Sequence, residues 1–431
     1  MKQANIVVVG GGIAGLEIAS SLGRKFKSGH ANSPLISVLD RDSAHIWKPM
    51  LHTIAAGTRD ISQQQTTYAA QARDCGFAYQ PGELNGLDRA SKQISIAALY
   101  APDGRLLIPE RTLPYDKLIL AVGSQANDFG TPGVQEHCYM IDSRVQADAF
   151  NREVRLRMFQ CLGLDQELSI AIVGGGATGV ELAAELTQLA EIAESYGAVG
   201  LGSKIHITLI QSGPRLLDAF PESISQAVRE KLEALGIKVL TNTRVQSASA
   251  DGLNTADGNF IPAAMLVWAA GVKAAEVMSQ LDGLECNRNN QLIVNNRLQT
   301  TLDDSIYAVG DCASLTLPGA TRALPPTAQV AHQQAVYLIR HFSKILNEQK
   351  FPDFRYRNLG ALVALGEYDA YASLGQFGLF KNGFIRGKIA QLSHAMLYRS
   401  HQSNLHGFWR GSLLWMVDQL NKKVRPSIRL D

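Results

Sequence analysis

Cysteine is scarce and scattered. Among 431 residues there are five, Cys75, Cys138, Cys161, Cys286 and Cys312, none in a CxxC or zinc-type spacing. That excludes a disulfide framework and a redox pair adjacent in sequence. No HExxH run occurs, so no metal site is expected. Long apolar runs are missing too: uncharged stretches such as 261–272 and 411–417 fall short of the ~20 residues that a membrane-spanning helix needs. Neither sign of charge dominates, with 41 Lys and Arg against 39 Asp and Glu, and aromatics make up only 7%. A composition 46% hydrophobic and 19% charged excludes a disordered or fibrous chain. The length predicts two to four domains, each burying its own core. Nothing resembling a signal or transit peptide precedes the apolar run at residues 6–9, which predicts a cytoplasmic protein.

The charge is unevenly placed. From Lys381 onward there are nine Lys or Arg against Asp418 and Asp431, a basic tail that points to nucleic acid or to an anionic membrane surface.

Glycine is concentrated at two places. Ile6-Val7-Val8-Val9-Gly10-Gly11-Gly12-Ile13-Ala14-Gly15 and Ile170-Ala171-Ile172-Val173-Gly174-Gly175-Gly176-Ala177-Thr178-Gly179 both read as strand, tight turn and helix. One GxGxxG alone is weak evidence; two, each directly after an apolar strand, form an internal repeat. In each, the first glycine (Gly10, Gly174) permits the turn, the second (Gly12, Gly176) lets backbone approach a pyrophosphate, and the third (Gly15, Gly179) lets helix pack on strand. The phosphates then meet the positive helix N-terminus. A second strand should follow and end in an acid that binds a ribose diol. Residues 35–40 supply Asp40, whereas 205–210 are followed by Gln211. Two dinucleotide folds in one chain predict a flavin in the first and a nicotinamide cofactor in the second, with hydride passing between them. The expected fold class is α/β, with two Rossmann-like domains and a C-terminal membrane-associating region. The expected boundaries are 1–115 with 295–340 for FAD, 165–290 for NAD(P)H, and 345–431 for the tail.

On these motifs the sequence resembles the two-dinucleotide-binding flavoprotein superfamily. Within it the chain is similar, essentially end to end, to the bacterial type II NADH dehydrogenases, single-subunit NADH:quinone oxidoreductases that pump no protons. Leu118-Ile119-Leu120-Ala121-Val122-Gly123 and Met265-Leu266-Val267-Trp268-Ala269-Ala270-Gly271 look like the links between domains. Ile306-Tyr307-Ala308-Val309-Gly310-Asp311, after Thr301, is similar to the second FAD motif. The resemblance implies that Asp311 bonds the ribitol of FAD with Gly310 close to it, and that Gly123 borders FAD and Gly271 borders NAD(P)H. His45-Ile46-Trp47-Lys48-Pro49-Met50-Leu51-His52 carries no thiol where disulfide reductases have a CxxxxC pair. In this run Lys48 is expected at the FAD, and Lys48 or His52 to stabilise negative charge on the reduced flavin.

Ala328-Gln329-Val330-Ala331-His332-Gln333 matches the AQxAxQ quinone pattern, which implies quinone contacts from Gln329, His332 and Gln333. Gln329 and Gln333, four apart, share a helix face. Glu181 sits in the first turn of the second fingerprint helix, where the dipole favours a carboxylate, and the resemblance implicates it in nicotinamide placement or proton handling. Glu185 is expected to face solvent or a neighbouring base. Gln211 stands where most members carry Glu, whose charge repels the 2′-phosphate of NADPH; the expected donor is therefore NADH, with NADPH possible and Arg215 a candidate helper.

In the tail, Leu405, Phe408, Trp409, Leu413, Met416 and Leu420 form one helical stripe with Trp415 beside it. His406, Arg410, Asp418, Gln419 and Asn421 lie opposite, followed by Lys422, Lys423, Arg425 and Arg429. This predicts an amphipathic helix lying in a bilayer interface, on the cytoplasmic side of the cell membrane and removable by truncation after about Lys388. A homodimer contact is the other use for such a face; no nucleic-acid module accompanies the charge. The chain thus reads as a peripheral, monotopic enzyme passing electrons from NADH through FAD to a membrane quinone. The alternative is a reductase of a small rubredoxin- or ferredoxin-like protein.

Overall fold

The strand Asn5–Val9 has Ile6, Val7, Val8 and Val9 buried, the pattern of a central parallel strand covered on both faces. Each such fully buried side chain contributes roughly 1.5–3 kcal/mol. It lies in a five-stranded parallel sheet ordered Ile306–Ala308, Lys117–Leu120, Asn5–Val9, Leu35–Asp40, Ala78–Pro81. A second parallel sheet runs Cys138–Met140, Met265–Trp268, Leu168–Val173, Ile205–Ile210, Lys238–Leu240. The computed structural model describes residues 3–27, 33–59, 65–373 and 384–424.

The two halves repeat well beyond the glycine motifs. In each, the fingerprint strand leads to a helix, Ile13–Phe26 or Ala177–Ser195, and then to the neighbouring strand. A three-stranded antiparallel sheet follows, at 84–114 in the first half and 245–262 in the second, before the chain returns on the other side of the fingerprint strand. The fifth strand breaks the symmetry. Ile306–Ala308 joins the first sheet after the second half is complete, whereas Cys138–Met140 joins the second sheet before its fingerprint. The chain therefore crosses between halves twice, and the crossings pair as the antiparallel ribbon of Gln125–Ala126 with Val272–Lys273.

Lys117–Leu120 lies past the expected limit at 115, Cys138–Met140 lies before that at 165, and the helix Ala328–Leu346 runs past 340. Three- and four-residue strands carry too little pattern to be read locally; pairing defines them.

After the helix Ala328–Leu346 come the antiparallel strands Ala361–Leu365, Asp369–Ser373 and Phe384–Arg386 and the helices Lys388–His406 and Phe408–Val424. Gly407, at φ +82°, separates the two helices. The first is fastened to the first half of the chain. Arg24 donates to the carbonyls of Asn404 at 2.8 Å and Leu405 at 2.9 Å, and Gln71 to that of Leu405 at 2.7 Å. These bonds satisfy carbonyls that a helix end leaves without partners. Leu405 is only 2% exposed, so it belongs to this anchored end and not to the expected stripe. A cut near Lys388 would therefore remove this anchored helix, whereas the second helix begins only after Gly407. Among the described residues no helix is long and apolar enough to cross a membrane.

Candidate active site

Both glycine turns lie at the carboxyl ends of their sheets, where open α/β sheets bind ligands. Gly10 N–H donates to the Leu39 carbonyl at 2.7 Å, and Gly174 N–H to that of Ile210 at 2.8 Å. A Cβ on Gly15 would meet the Gly10 carbonyl oxygen at 1.8 Å, and one on Gly179 the Gly174 oxygen at 2.0 Å, so these glycines are required by the protein's own packing. The middle pair differ. A Cβ on Gly12 would come no nearer than 4.0 Å to a packed neighbour, Ala121 O, and one on Gly176 would meet nothing within 4 Å. Both cap their helices without a side-chain hydrogen bond. Each turn thus leaves open space before helix N–H groups without a side-chain cap, a cradle that fits a pyrophosphate.

Asp40 and Gln211 occupy equivalent places. Asp40 Oδ2 accepts from Gly11 N–H at 2.6 Å, and Gln211 Oε1 from Gly175 N–H at 3.0 Å. Burial raises the Asp40 pKa. Arg215 donates to the Phe220 and Asp218 carbonyls and to Ser225 Oγ; its guanidinium closes the turn before the helix Glu222–Ala234.

The three catalytic candidates divide into two clusters. Lys48 Nζ donates to the Ser124 carbonyl at 2.5 Å, with Asp142 at 3.8 Å, and Ser124 Oγ donates to Asp311 Oδ2 at 2.7 Å. Lys48 and Asp311 therefore meet through Ser124, beside Gly123. Gly310 N–H donates to the buried Gln334 at 2.6 Å, and Gln291 donates to the Asp311 carbonyl at 2.8 Å. Ser124, Gln291 and Gln334 escape a sequence reading. Only their adjacency to Gly123 and Gln333 signals two of them, and nothing local signals Gln291.

The second cluster is buried. Glu181 Oε1 accepts from Ala364 N–H at 3.0 Å, and His52 Nδ1 lies 3.5 Å from Oε2. Burial pushes the Glu181 carboxyl up to about 8, so it keeps its proton at neutral pH. At that length the His52 contact is a loose one. Glu185 is buried instead of solvent-facing; it takes the Thr58 hydroxyl, has Arg59 as a nearby base, and is raised by burial. Gly271, at φ +70°, has Phe129 and Asn127 nearest its missing side chain.

The quinone-motif helix begins at a Thr327 cap, whose side chain accepts from Val330 N–H. Gln329 and Gln333 do share a face, and both amides turn to the segment at 356–360. Gln329 accepts from Tyr356 OH at 2.8 Å and Leu359 N–H at 2.9 Å and donates to the Gly360 carbonyl at 3.0 Å. Gln333 pairs both ways with the Arg357 backbone, at 2.8 and 3.0 Å. His332 points elsewhere, to Glu17 Oε2 at 2.7 Å.

The helix Phe408–Val424 exposes Phe408, Trp409, Leu413, Met416, Leu420 and Val424, with Trp409 at 84%. It is not core-packed. Arg410 pairs with Asp74. Arg425 and Arg429 lie outside the described residues. All five cysteines are free, and among the described residues no group of His, Cys, Asp and Glu could hold a metal ion.

The profile of the family described as pyridine nucleotide-disulphide oxidoreductase matches residues 4–335. The chain is 40% identical over 446 residues to the type II NADH:quinone oxidoreductase of Haemophilus influenzae, covering 99% of both. It is 25% identical over 375 residues to that of Staphylococcus aureus, covering 85% of this chain and 89% of the relative. Its fold superposes with a TM-score of 0.82 on NDH2 from Plasmodium falciparum in complex with NADH, at 21% identity, over 99% of this chain and 100% of that one.

Proposed function

Because the chain belongs to the pyridine nucleotide-disulphide oxidoreductase family and, within it, to the type II NADH:quinone oxidoreductases, we infer a single flavoprotein that carries electrons from NADH through FAD to a quinone. The observation that carries this reading is the pair of matching strand-end cradles in a chain 40% identical, end to end, to such an enzyme. FAD, when bound, supplies the two-electron carrier between donor and acceptor.

In this reading Gly10, Gly12, Gly15 and Asp40 hold the adenosine and pyrophosphate of FAD, and Gly123, Gly310, Asp311 and Lys48 its inner half. Gly174, Gly176, Gly179, Gln211 and Gly271 hold the nicotinamide nucleotide. Glu181 and His52 stand at the junction, where a carboxyl protonated at neutral pH can donate a hydrogen bond or a proton. Gln329 and Gln333 act on the quinone site by fastening the 356–360 segment beside their helix, with His332 on the same turn. The exposed apolar face of Phe408–Val424, with its basic residues, lies in a membrane surface on the cytoplasmic side, where each nearby Lys or Arg adds about 1 kcal/mol of attraction to anionic lipid.

The test is anaerobic stopped-flow spectroscopy of purified protein. NADH should bleach the flavin absorbance rapidly, and a short-chain ubiquinone should restore it rapidly. Bleaching without quinone-driven return would transfer the acceptor role to a small redox protein, and absence of a flavin spectrum would overturn the reading.

A further inference from the structure

Four side chains from four distant segments meet in the interior between the first fingerprint helix, the quinone-motif helix and the helix Lys388–His406. His45 Nδ1 lies 2.9 Å from the Gly11 carbonyl oxygen, and its Nε2 lies 2.9 Å from His401 Nε2. His401 Nδ1 lies 2.9 Å from Glu17 Oε1, and Glu17 Oε2 lies 2.7 Å from His332 Nδ1. Glu17, His45 and His401 are buried, and Trp47 covers His401 at 4.3 Å between ring centres. None of the functional roles assigned so far uses Glu17, His45 or His401.

The carbonyl at one end determines where the protons sit. It can only accept, so His45 carries its hydrogen on Nδ1. Burial, then His401, pushes His45 down to about 3; its ring is neutral and Nε2 is a lone pair. His401 Nε2 must therefore donate to it. Burial raises Glu17, but the hydrogen bonds from His332 and His401 outweigh burial and hold its carboxyl below the ordinary value. Glu17 is thus a carboxylate accepting Nδ1–H from both rings. His332 gives Nδ1–H to Glu17, and the same bond raises its affinity for a second proton. That proton can sit only on Nε2, in a side chain still 37% exposed.

We propose that His332 is the general acid of quinone reduction, donating from Nε2 to a quinone oxygen, and that Glu17, His401 and His45 are positioning residues that fix its tautomer. The inference rests on the quinone reading above. The balance requires such a donor. NADH surrenders two electrons and one proton as hydride and leaves as NAD⁺, whereas the quinone becomes quinol by taking two electrons and two protons. The second proton comes from His332, which is then a neutral ring still bonded to Glu17 and regains its proton from the medium. Orientation of an imidazole by a buried carboxylate is the same arrangement that serves hydrolytic triads.

The test compares two acceptors on the full-length holoprotein. Ferricyanide takes electrons alone; a short-chain ubiquinone must also be protonated. His332→Gln and Glu17→Gln should lower kcat with ubiquinone by about a hundredfold, the usual worth of a general acid, and leave ferricyanide turnover within about twofold. Added imidazole should restore part of the ubiquinone turnover of His332→Ala. A second readout is independent of turnover: in ¹⁵N-histidine spectra the His332 ring should be cationic in the wild type and neutral in Glu17→Gln at the same pH. Ubiquinone turnover within about twofold of wild type in His332→Gln would overturn the proposal, as would equal loss with both acceptors, which marks a packing role. A wild-type protein that reduces ferricyanide but no quinone would instead overturn the quinone reading itself.

Discussion

Asp40 and Gln211 make the same hydrogen bond from the same place in two copies of one motif, 2.6 Å from Gly11 N–H and 3.0 Å from Gly175 N–H. They differ in charge, and charge is what a 2′-phosphate senses. Gln211→Glu restores a carboxylate at the strand end. The expected outcome is a fall of about tenfold in kcat/KM for NADPH relative to NADH, equivalent to ~1.4 kcal/mol. Steady-state kinetics with both donors checks it; an unchanged ratio would detach Gln211 from donor choice. Glu181 carries a second prediction at this scale. Its folded pKa of about 8 exceeds the ordinary 4.5, so between those values the folded state holds a proton that the unfolded chain releases. Stability therefore falls as pH rises through that window, by an amount on the order of a few kcal/mol. Glu181→Gln keeps a neutral acceptor for Ala364 N–H and should flatten this loss, measured as urea midpoints at the two ends of the window.

At the scale of elements, the two fingerprint turns separate what the fold needs from what the ligand needs. Gly179 packs directly on Gly174, whereas Gly176 has φ −76°, ψ −177° and open space where a Cβ would sit. Gly176→Ala should fold with stability unchanged or raised by about 0.4–1 kcal/mol. Its KM for NADH should rise about tenfold, because the added methyl occupies the place of a pyrophosphate. Thermal melts beside NADH titrations check this, and a wild-type KM would place the nucleotide elsewhere. The glycine roles were legible because a tight turn and a close helix crossing are local demands on one residue. The strand Cys138–Met140 was not, since three half-buried residues acquire strand character only from Met265–Trp268 beside them. The same applies to Gln329 and Gln333: their shared face follows from spacing, but their partners at 356–360 do not.

For the whole molecule, the question is how much of the tail is detachable. Lys388–His406 is bonded to the FAD half through Arg24 and Gln71 and carries the buried His401. Phe408–Val424 shows an apolar face to the outside. Truncation after Gly407 should leave a protein that retains flavin, reduces ferricyanide with NADH and no longer floats with anionic phosphatidylglycerol vesicles. Truncation after Lys388 should instead cost flavin retention and solubility, because it uncovers Glu17 and His45. Vesicle flotation of the Gly407 truncation equal to full length would remove the anchor assignment.

The two cradles, the acid-to-amide change between them, the quinone motif and the amphipathic end are all readable in the linear chain. Each of these is written in short runs of consecutive residues, where turn geometry and helical period act. Folding in three dimensions is what brings Lys48 to Asp311 through Ser124, buries Glu181 beside His52, and joins Glu17, His45, His332 and His401 in one chain. Those contacts join residues as far apart as 17 and 401. Their chemistry comes from burial and from hydrogen bonds across packed elements, which no local pattern encodes.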